Sequence, residues 1–346
     1  MNEKVTSFDV ARRAGVSRST VSVVLNRSYA VQLSEETRER VFRAAEDLGY
    51  RTNAAARMLV RGDTETIALV LSDPTILLED AFVPQLLHGI RLVNRELGYH
   101  VLLDSLDPAG GRSTFKGMVA SRRIDGMIVL NPRTDDPELR QLIDEGYPTV
   151  LVGSIRHPQE HSVNFSTREG IHAAALHLMD GGHTRIGMVT FSPRGLVATD
   201  VRIATLRRSL SGRGLSLADE DITEGAFSVP SGFDATYSLL SRRPDLTAVF
   251  AGNDTIAIGV LSAARALGRK VPDDLSIVGF DDLPFARFLD PALTTIRTNG
   301  VDHGMKAANL LIRILRGEPI EQQRLQSPTE LIIRGSTAPI DRSSAS

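Results

Sequence analysis

Residues 5–26 constrain this chain more than any other stretch: Val5-Thr6-Ser7-Phe8-Asp9-Val10-Ala11-Arg12-Arg13-Ala14-Gly15-Val16-Ser17-Arg18-Ser19-Thr20-Val21-Ser22-Val23-Val24-Leu25-Asn26. The order predicts two short helices joined by a tight turn. Thr6 can cap the first, with Asp9 placed to return the bond. Val10 and Ala14 supply an apolar i, i+4 face, and Gly15 permits the left-handed turn that a side chain would resist. Ser17 caps the second helix, with Val21, Val24 and Leu25 inward and Arg18, Ser19 and Ser22 outward. A helix with a buried back and a small, polar front suits insertion into a DNA major groove. The same hairpin also occurs in proteins that never meet DNA, so the neighbouring residues must decide.

Charge is the first of them. Residues 1–61 carry eleven Lys/Arg against seven Asp/Glu, a net of +4, whereas the whole chain is −2 and the remainder therefore −6. A basic head on an acidic body is the footprint of a polyanion bound at one end. A third helix is expected from Glu35 to Leu48, capped by Ser34, with Val41, Ala44, Ala45 and Leu48 at helical spacing and Gly49 ending it. Beyond it, Asn53-Ala54-Ala55-Ala56-Arg57-Met58-Leu59-Val60 has an Asn cap and high helix propensity. It falls short of the ~12–15 residues that an isolated helix needs, so it should be helical only when something orders it. By composition a plain linker is the equal alternative.

From about Ile67 the chain cycles between apolar runs and amphipathic stretches. Strands are expected at Ile67–Leu71, Val101–Leu103, Met127–Leu130 and Thr149–Val152, then at Ile186–Thr190, Ala248–Ala251 and Ser276–Phe280. Helices are expected at Phe82–Leu97, Ile171–Met179, Val201–Leu210, Ser231–Leu240 and Ile256–Leu267. Uninterrupted apolar strands alternating with helices argue for parallel sheets covered on both faces. Two sets make two doubly wound α/β lobes, with a ligand cleft at the strand C-terminal ends.

The chain is similar to the LacI/GalR family of bacterial transcription regulators from about Val5 to Arg334. Asp-Val-Ala-x-x-Ala-Gly-Val-Ser-x-x-Thr-Val-Ser at Asp9–Ser22, Gly252-Asn253-Asp254 and Val278-Gly279-Phe280-Asp281-Asp282 carry the resemblance. It implies an N-terminal all-α helix-turn-helix DNA-binding domain (1–52), a hinge helix and linker (53–66) and a two-lobed, periplasmic-binding-protein-like α/β domain of type I (67–335). The first lobe is expected at 67–160 plus 291–322, the second at 161–290 plus 323–335, and a flexible tail at 336–346. It further implies a homodimer on near-palindromic operator DNA, with recognition helices in major grooves and paired hinge helices in the minor groove.

Carried over by position, Arg18 and Ser19 are the main base readers, with Thr6, Ser17, Thr20, Ser22, Val23, Asn26, Asn53 and Arg57 also at the DNA. Leu59 matches the hinge leucine that wedges between central base pairs, and Ala56 packs beside it. In the cleft the resemblance implies Asp281 as hydroxyl acceptor, Arg202 opening a helix, Asn253 after a strand, and Phe227 and Phe82 as stacking aromatics, with Asp254 capping the next helix. A carboxylate, an amide and a guanidinium around an aromatic wall suit a small sugar. The implied mechanism is a repressor released by that effector. The alternative is a co-repressor, such as a nucleobase, that tightens DNA binding.

Some positions depart from the pattern. Val23 stands where Arg is common and offers a base only an apolar contact, so the operator does not transfer. Thr52 replaces a frequent proline, Gly153 an aspartate found in a relative, and Thr205-Leu206 a Gly-aromatic pair, so the effector's identity does not transfer either.

Other chemistry finds little support. With no Cys there is no thiolate nucleophile, disulfide or Cys-rich zinc site, which fits a cytoplasmic protein. His157 and His161 flank Pro158 in what reads as a loop, a poor metal site. No phosphate-binding glycine loop or acid/base pair points to an enzyme, so no cofactor is expected. A transport solute-binding protein would share the body but needs a signal peptide, and no such segment or membrane span is expected here. Leu59→Ala is expected to weaken operator binding while leaving sugar binding intact. A mobility-shift titration with unchanged affinity would remove the wedge role.

Overall fold

The computed structural model describes residues 5–25, 33–50, 63–106 and 114–340. Asn26, Asn53, Ala56, Arg57 and Leu59, together with Thr52, lie outside the described residues. The chain divides into two compact units, Met1–Thr64 and Glu65–Ser346.

In the first unit, α1 (Ser7–Ala14), α2 (Arg18–Leu25) and α3 (Glu35–Asp47) enclose Val10, Ala14, Val21, Val24, Val41, Ala44 and Ala45. The Asp9 carboxylate accepts from the Thr6 amide at 3.0 Å and from its hydroxyl at 2.7 Å, and these bonds hold its pKa below the ordinary value. Gly15 sits at φ 66°, the left-handed conformation that lets α1 stop and the chain turn within three residues. Ser17 Oγ accepts from the Thr20 amide at 3.1 Å and starts α2. Ser34 does the same for α3 through Thr37.

The second unit contains β1 (Thr66–Leu71), α4 (Ile76–Glu79), α5 (Phe82–Leu97), β2 (His100–Ser105), α6 (Phe115–Ala120), β3 (Gly126–Leu130), α7 (Pro137–Asp144), β4 (Thr149–Val152) and β5 (His161–Phe165). It continues with α8 (Thr167–Asp180), β6 (Ile186–Val189), α9 (Val197–Ser211), β7 (Ile222–Thr223), α10 (Val229–Arg242), β8 (Ala248–Ala251), α11 (Asp254–Ala266), β9 (Ser276–Asp281) and β10 (Thr294–Arg297). The last elements are α12 (Gly300–Leu315), β11 (Arg324–Ser327) and β12 (Glu330–Ile332). Two six-stranded sheets result, ordered β11-β5-β4-β3-β1-β2 and β12-β10-β9-β8-β6-β7. The first is all parallel; in the second only β12 runs antiparallel.

The central strands are mostly apolar and buried almost end to end, with helices over both faces. On the first sheet α5 packs along α12, and glycine makes the approach possible. A Cβ on Gly89 would lie 2.0 Å from the Val301 carbonyl oxygen, and one on Gly304 2.2 Å from that of Leu86. Among the described residues no helix is long and apolar enough to cross a membrane.

Four expectations need correction. β5 and β11 pair within the first sheet, and β10 extends the second beside β9. The lobes therefore exchange chain at 165–167, 297–300 and 327–330, rather than at 160, 290 and 322. Polar residues interrupt β5, β10 and β11, so no apolar run marks them as strands. Arg202 does not open its helix: α9 begins at Val197, which puts Arg202 in the second turn. Asn253, not Asp254, caps α11, its Oδ1 accepting from the Ile256 amide at 2.8 Å. Finally, residues 336–340 are not a frayed tail. Ser336 is fully buried, its amide carbonyl accepts from Ile277, and its Oγ accepts from the Thr294 amide at 2.8 Å while donating to the Ile277 carbonyl at 2.6 Å. The Ile340 amide then bonds the Gly181 carbonyl at 2.8 Å. Small polar residues looked like tail because their partners lie far back in the chain.

Ser336→Ala leaves the buried Thr294 N–H without its acceptor and is expected to cost about 1–3 kcal/mol. Urea titration checks this; an unchanged midpoint would show that the segment adds no stability.

Candidate functional site

On the first unit, Arg18 and Ser19 are exposed on the opening turn of α2, as is Ser17 just before it. The hydroxyls of Ser17, Ser19 and Thr20 are hydrogen-bonded together, at 2.6 and 2.8 Å from Ser17 Oγ. They form one polar edge on the turn that also carries the exposed Arg18. Ser22 and Val23 are half-buried, and the exposed Thr6 spends its hydroxyl on Asp9. This surface offers donors, acceptors and one cation with no acidic residue in the first turn of α2, a combination suited to base edges and phosphates.

The two parallel sheets direct their C-terminal strand ends toward a shared cleft, where a cavity of about 720 Å³ is lined from both lobes. Asp281, Arg202, Asn253 and Phe82 all line it. Phe227 does not. It is buried at φ 61°, its amide donates to the Phe191 carbonyl at 2.7 Å, and its ring meets the Phe191 ring edge-on at 5.6 Å. Phe191 is the aromatic that faces the cavity, with Phe227 behind it.

Arg202 is the centre of the site. Its guanidinium lies 4.2 Å from the Phe191 ring centroid and 3.8 Å from that of Phe280, and one Nη donates to the Gly252 carbonyl. Its Nε is buried with no hydrogen-bond partner among the described residues. Burial pulls its pKa down to about 10 against the fields of Asp281, Asp80 and Asp254. These carboxylates suffer the reverse effect. Burial pushes Asp80 up to about 6 and Asp254 to about 7, and drives Asp281 well above its ordinary value despite the nearby Arg202. Three buried acids around one guanidinium make a floor rich in acceptors. Asp80 reaches it from the first lobe, at the head of α5, where its Oδ1 accepts from the Phe82 amide at 3.0 Å.

Asp281 holds its carboxylate in place by an unusual backbone. It lies at φ 115° and Asp282 at φ 55°, both in the positive region that L-residues avoid. Neighbours over-determine the turn. The Asp281 carbonyl accepts from the Thr298 amide at 3.2 Å, and Asp282 accepts from Arg297 at 2.7 Å and Arg334 at 2.6 Å. Asp254 accepts from the Leu283 amide at 2.7 Å and the Thr295 hydroxyl at 2.6 Å, so it orients the loop.

Opposite this floor, Phe82 and Phe165 meet edge-on at 5.9 Å, and His303 stacks on Phe165. Arg156, Glu160, Arg168, Arg324 and Gln326 line the cavity around them. Sequence reasoning missed Asp80, Phe191, Phe165 and His303. Phe191 was within reach, since it follows β6 as Asn253 follows β8. His303 and Gln326 come from α12 and β11, whose sheet was not legible. His157 lies apart from His161 in role, its Nε2 3.1 Å from Asp144 Oδ1.

Comparison with known proteins agrees with both units. Residues 8–53 match bacterial regulatory proteins of the lacI family, and residues 175–337 match a periplasmic binding protein-like domain. The HTH-type transcriptional regulator CelR of Thermobifida fusca is 36% identical over 337 residues, covering 94% of this chain and 96% of its own. The ribose operon repressor of Escherichia coli is 33% identical, covering 96% of this chain and 99% of its own. A CelR–cellobiose complex superposes with a TM-score of 0.72 at 33% identity, covering 96% of this chain and 99% of that one. A lac repressor dimer bound to operator and the anti-inducer ONPF gives a TM-score of 0.82 at 27% identity, covering 97% and 100%.

Asp80 supplies a pH test of the site. Its carboxyl takes up a proton more readily when folded than at the ordinary value of 3.8, so its stabilisation is present below that value and fades as pH rises through about 6. The native protein should therefore lose stability relative to Asp80→Asn between those values. Denaturation midpoints across that pH series check it; parallel curves would show that Asp80 is not held protonated.

Proposed function

Because the chain belongs to the lacI family of bacterial regulatory proteins, we propose that it represses transcription as an operator-bound homodimer, released when a small neutral sugar occupies the cleft. The observation that carries this reading is the Asp281–Arg202–Asn253 floor beneath the Phe82, Phe165 and Phe191 rings. Carboxylates and an amide oxygen accept from sugar hydroxyls, the guanidinium donates to their oxygens, and rings cover C–H faces. The cellobiose held by a relative of 33% identity supports a sugar.

The first unit does the DNA reading. Arg18 and Ser19 contact base edges, while the Ser17 and Thr20 hydroxyls position α2 on the backbone. Val23 presents an apolar surface where an arginine would read guanine, which favours a thymine methyl. Effector binding changes the setting of the lobes, and the segment of residues 53–60 transmits that change to the operator-bound unit. The coupling is reciprocal, so operator weakens sugar binding by the factor by which sugar weakens operator binding. DNA as partner places the protein in the cytoplasm, and the role is binding rather than catalysis.

Selection from randomised duplexes, followed by a thermal-shift screen of sugars and nucleobases, tests the reading. Enrichment of a near-palindrome and a sugar that releases it support the proposal. A nucleobase that tightens binding would replace induction with co-repression, and absence of any enriched sequence would overturn the DNA role. Asp281→Ala is expected to keep operator affinity and lose the ligand response, measured as operator titrations with and without the sugar; a normal response would mean the effector sits elsewhere.

A further inference from the structure

The three chain crossings between the lobes meet at one side chain, His303. It lies in the first turns of α12, just after the 297–300 crossing, and is 1% exposed. Its ring stacks on Phe165, the last residue before the 165–167 crossing, with centroids 3.9 Å apart and planes 20° from parallel. Its Nδ1 is 3.3 Å from the hydroxyl of Ser327, the last residue before the 327–330 crossing. The first and third crossings are also joined directly. The Ser166 amide donates to the Ser327 carbonyl at 2.8 Å, and the Thr329 hydroxyl donates to the Ser166 carbonyl at 3.0 Å.

Lys306 Nζ, 3.1 Å from Ser327 Oγ, can only donate. Ser327 Oγ accepts from the ammonium and shares a further hydrogen bond with His303 Nδ1. The imidazole also donates to the Val163 carbonyl of β5. Burial pushes the His303 pKa down to about 3, so the ring stays neutral. One face of the same group touches function: His303 and Phe165 line the cavity, and Phe165 meets Phe82 edge-on.

We infer that His303 is a positioning residue that pins all three crossings and sets the angle between the lobes, so that a ligand against Phe82 and Phe165 acts on the pivot directly. The consequence for DNA release rests on the cleft being the effector site; the pin itself does not. A stacked ring fixes the first crossing relative to the second, and the Ser327 bond fixes the third. Displacing Phe165 disturbs both links at once.

The absence of cysteine allows a clean test in the full-length chain. Cysteines at the exposed Glu145 of the first lobe and Arg208 of the second carry spin labels, and pulsed dipolar spectroscopy reads the distance distribution in ligand-free protein. His303→Leu, which removes both hydrogen bonds, should shift or broaden the distribution. His303→Gln, whose amide can still donate to Val163, should fall between it and the native protein. Ser327→Ala removes one link without altering a cavity-lining residue, and should move the distribution the same way by less. It also keeps the test alive if His303→Leu fails to fold. A lowered melting temperature with an unchanged distribution in Ser327→Ala and in the folded His303 variants overturns the proposal, since a residue that merely fills the core would give that result. Failure to select an operator would overturn the functional reading and leave this comparison standing.

Discussion

A guanidinium buried between two aromatic rings, with carboxylates on either side, is the interaction on which this molecule's second unit turns. Arg202 cannot shed its proton at physiological pH, and its removal from water is repaid only by the Phe191 and Phe280 faces, the Gly252 carbonyl and nearby acids. Asp281 comes from the second lobe and Asp80 from the first, so the electrostatic balance of the site depends on how the lobes are set.

The backbone around the site is built to hold a costly arrangement. Consecutive positive φ values at Asp281 and Asp282 persist because Thr298, Arg297, Arg334 and Asp254 each fix one part of the turn. Arg334 belongs to the segment after β12, and residues 336–340 continue it across the second lobe. The far end of the chain thus supports a loop formed some fifty residues earlier. Phe227, at φ 61°, buttresses Phe191 in the same manner, one strained residue supporting the side chain that faces the cavity.

The DNA-reading unit follows simpler physics. Its core is small and its helices short, so caps carry much of the local specification: Asp9 on Thr6, Ser17 on Thr20, Ser34 on Thr37. Those caps also shape function, because the Ser17 hydroxyl that starts α2 belongs to the polar edge beside Arg18. The excess of positive charge at this end of the chain, against an acidic remainder, draws the correct end toward a polyanion.

Local order was legible in the residues themselves. Capping side chains, Gly15 and apolar spacing determined the three N-terminal helices, and apolar runs determined seven of the strands. The motifs containing Asn253 and Asp281 marked two strand ends, and the family resemblance they carry named Asp281, Arg202, Asn253 and Phe82, all four of which line the cavity. What required the tertiary structure was every pairing whose partner is distant. Whether β5 or β11 joins the first or second sheet, whether Ser336 hangs free or is buried, and whether Phe191 or Phe227 faces the cavity all depend on neighbours that sequence spacing does not encode. Hydrogen bonding along the chain has a fixed period and can be read from order; packing across it is decided by which surfaces exclude water together.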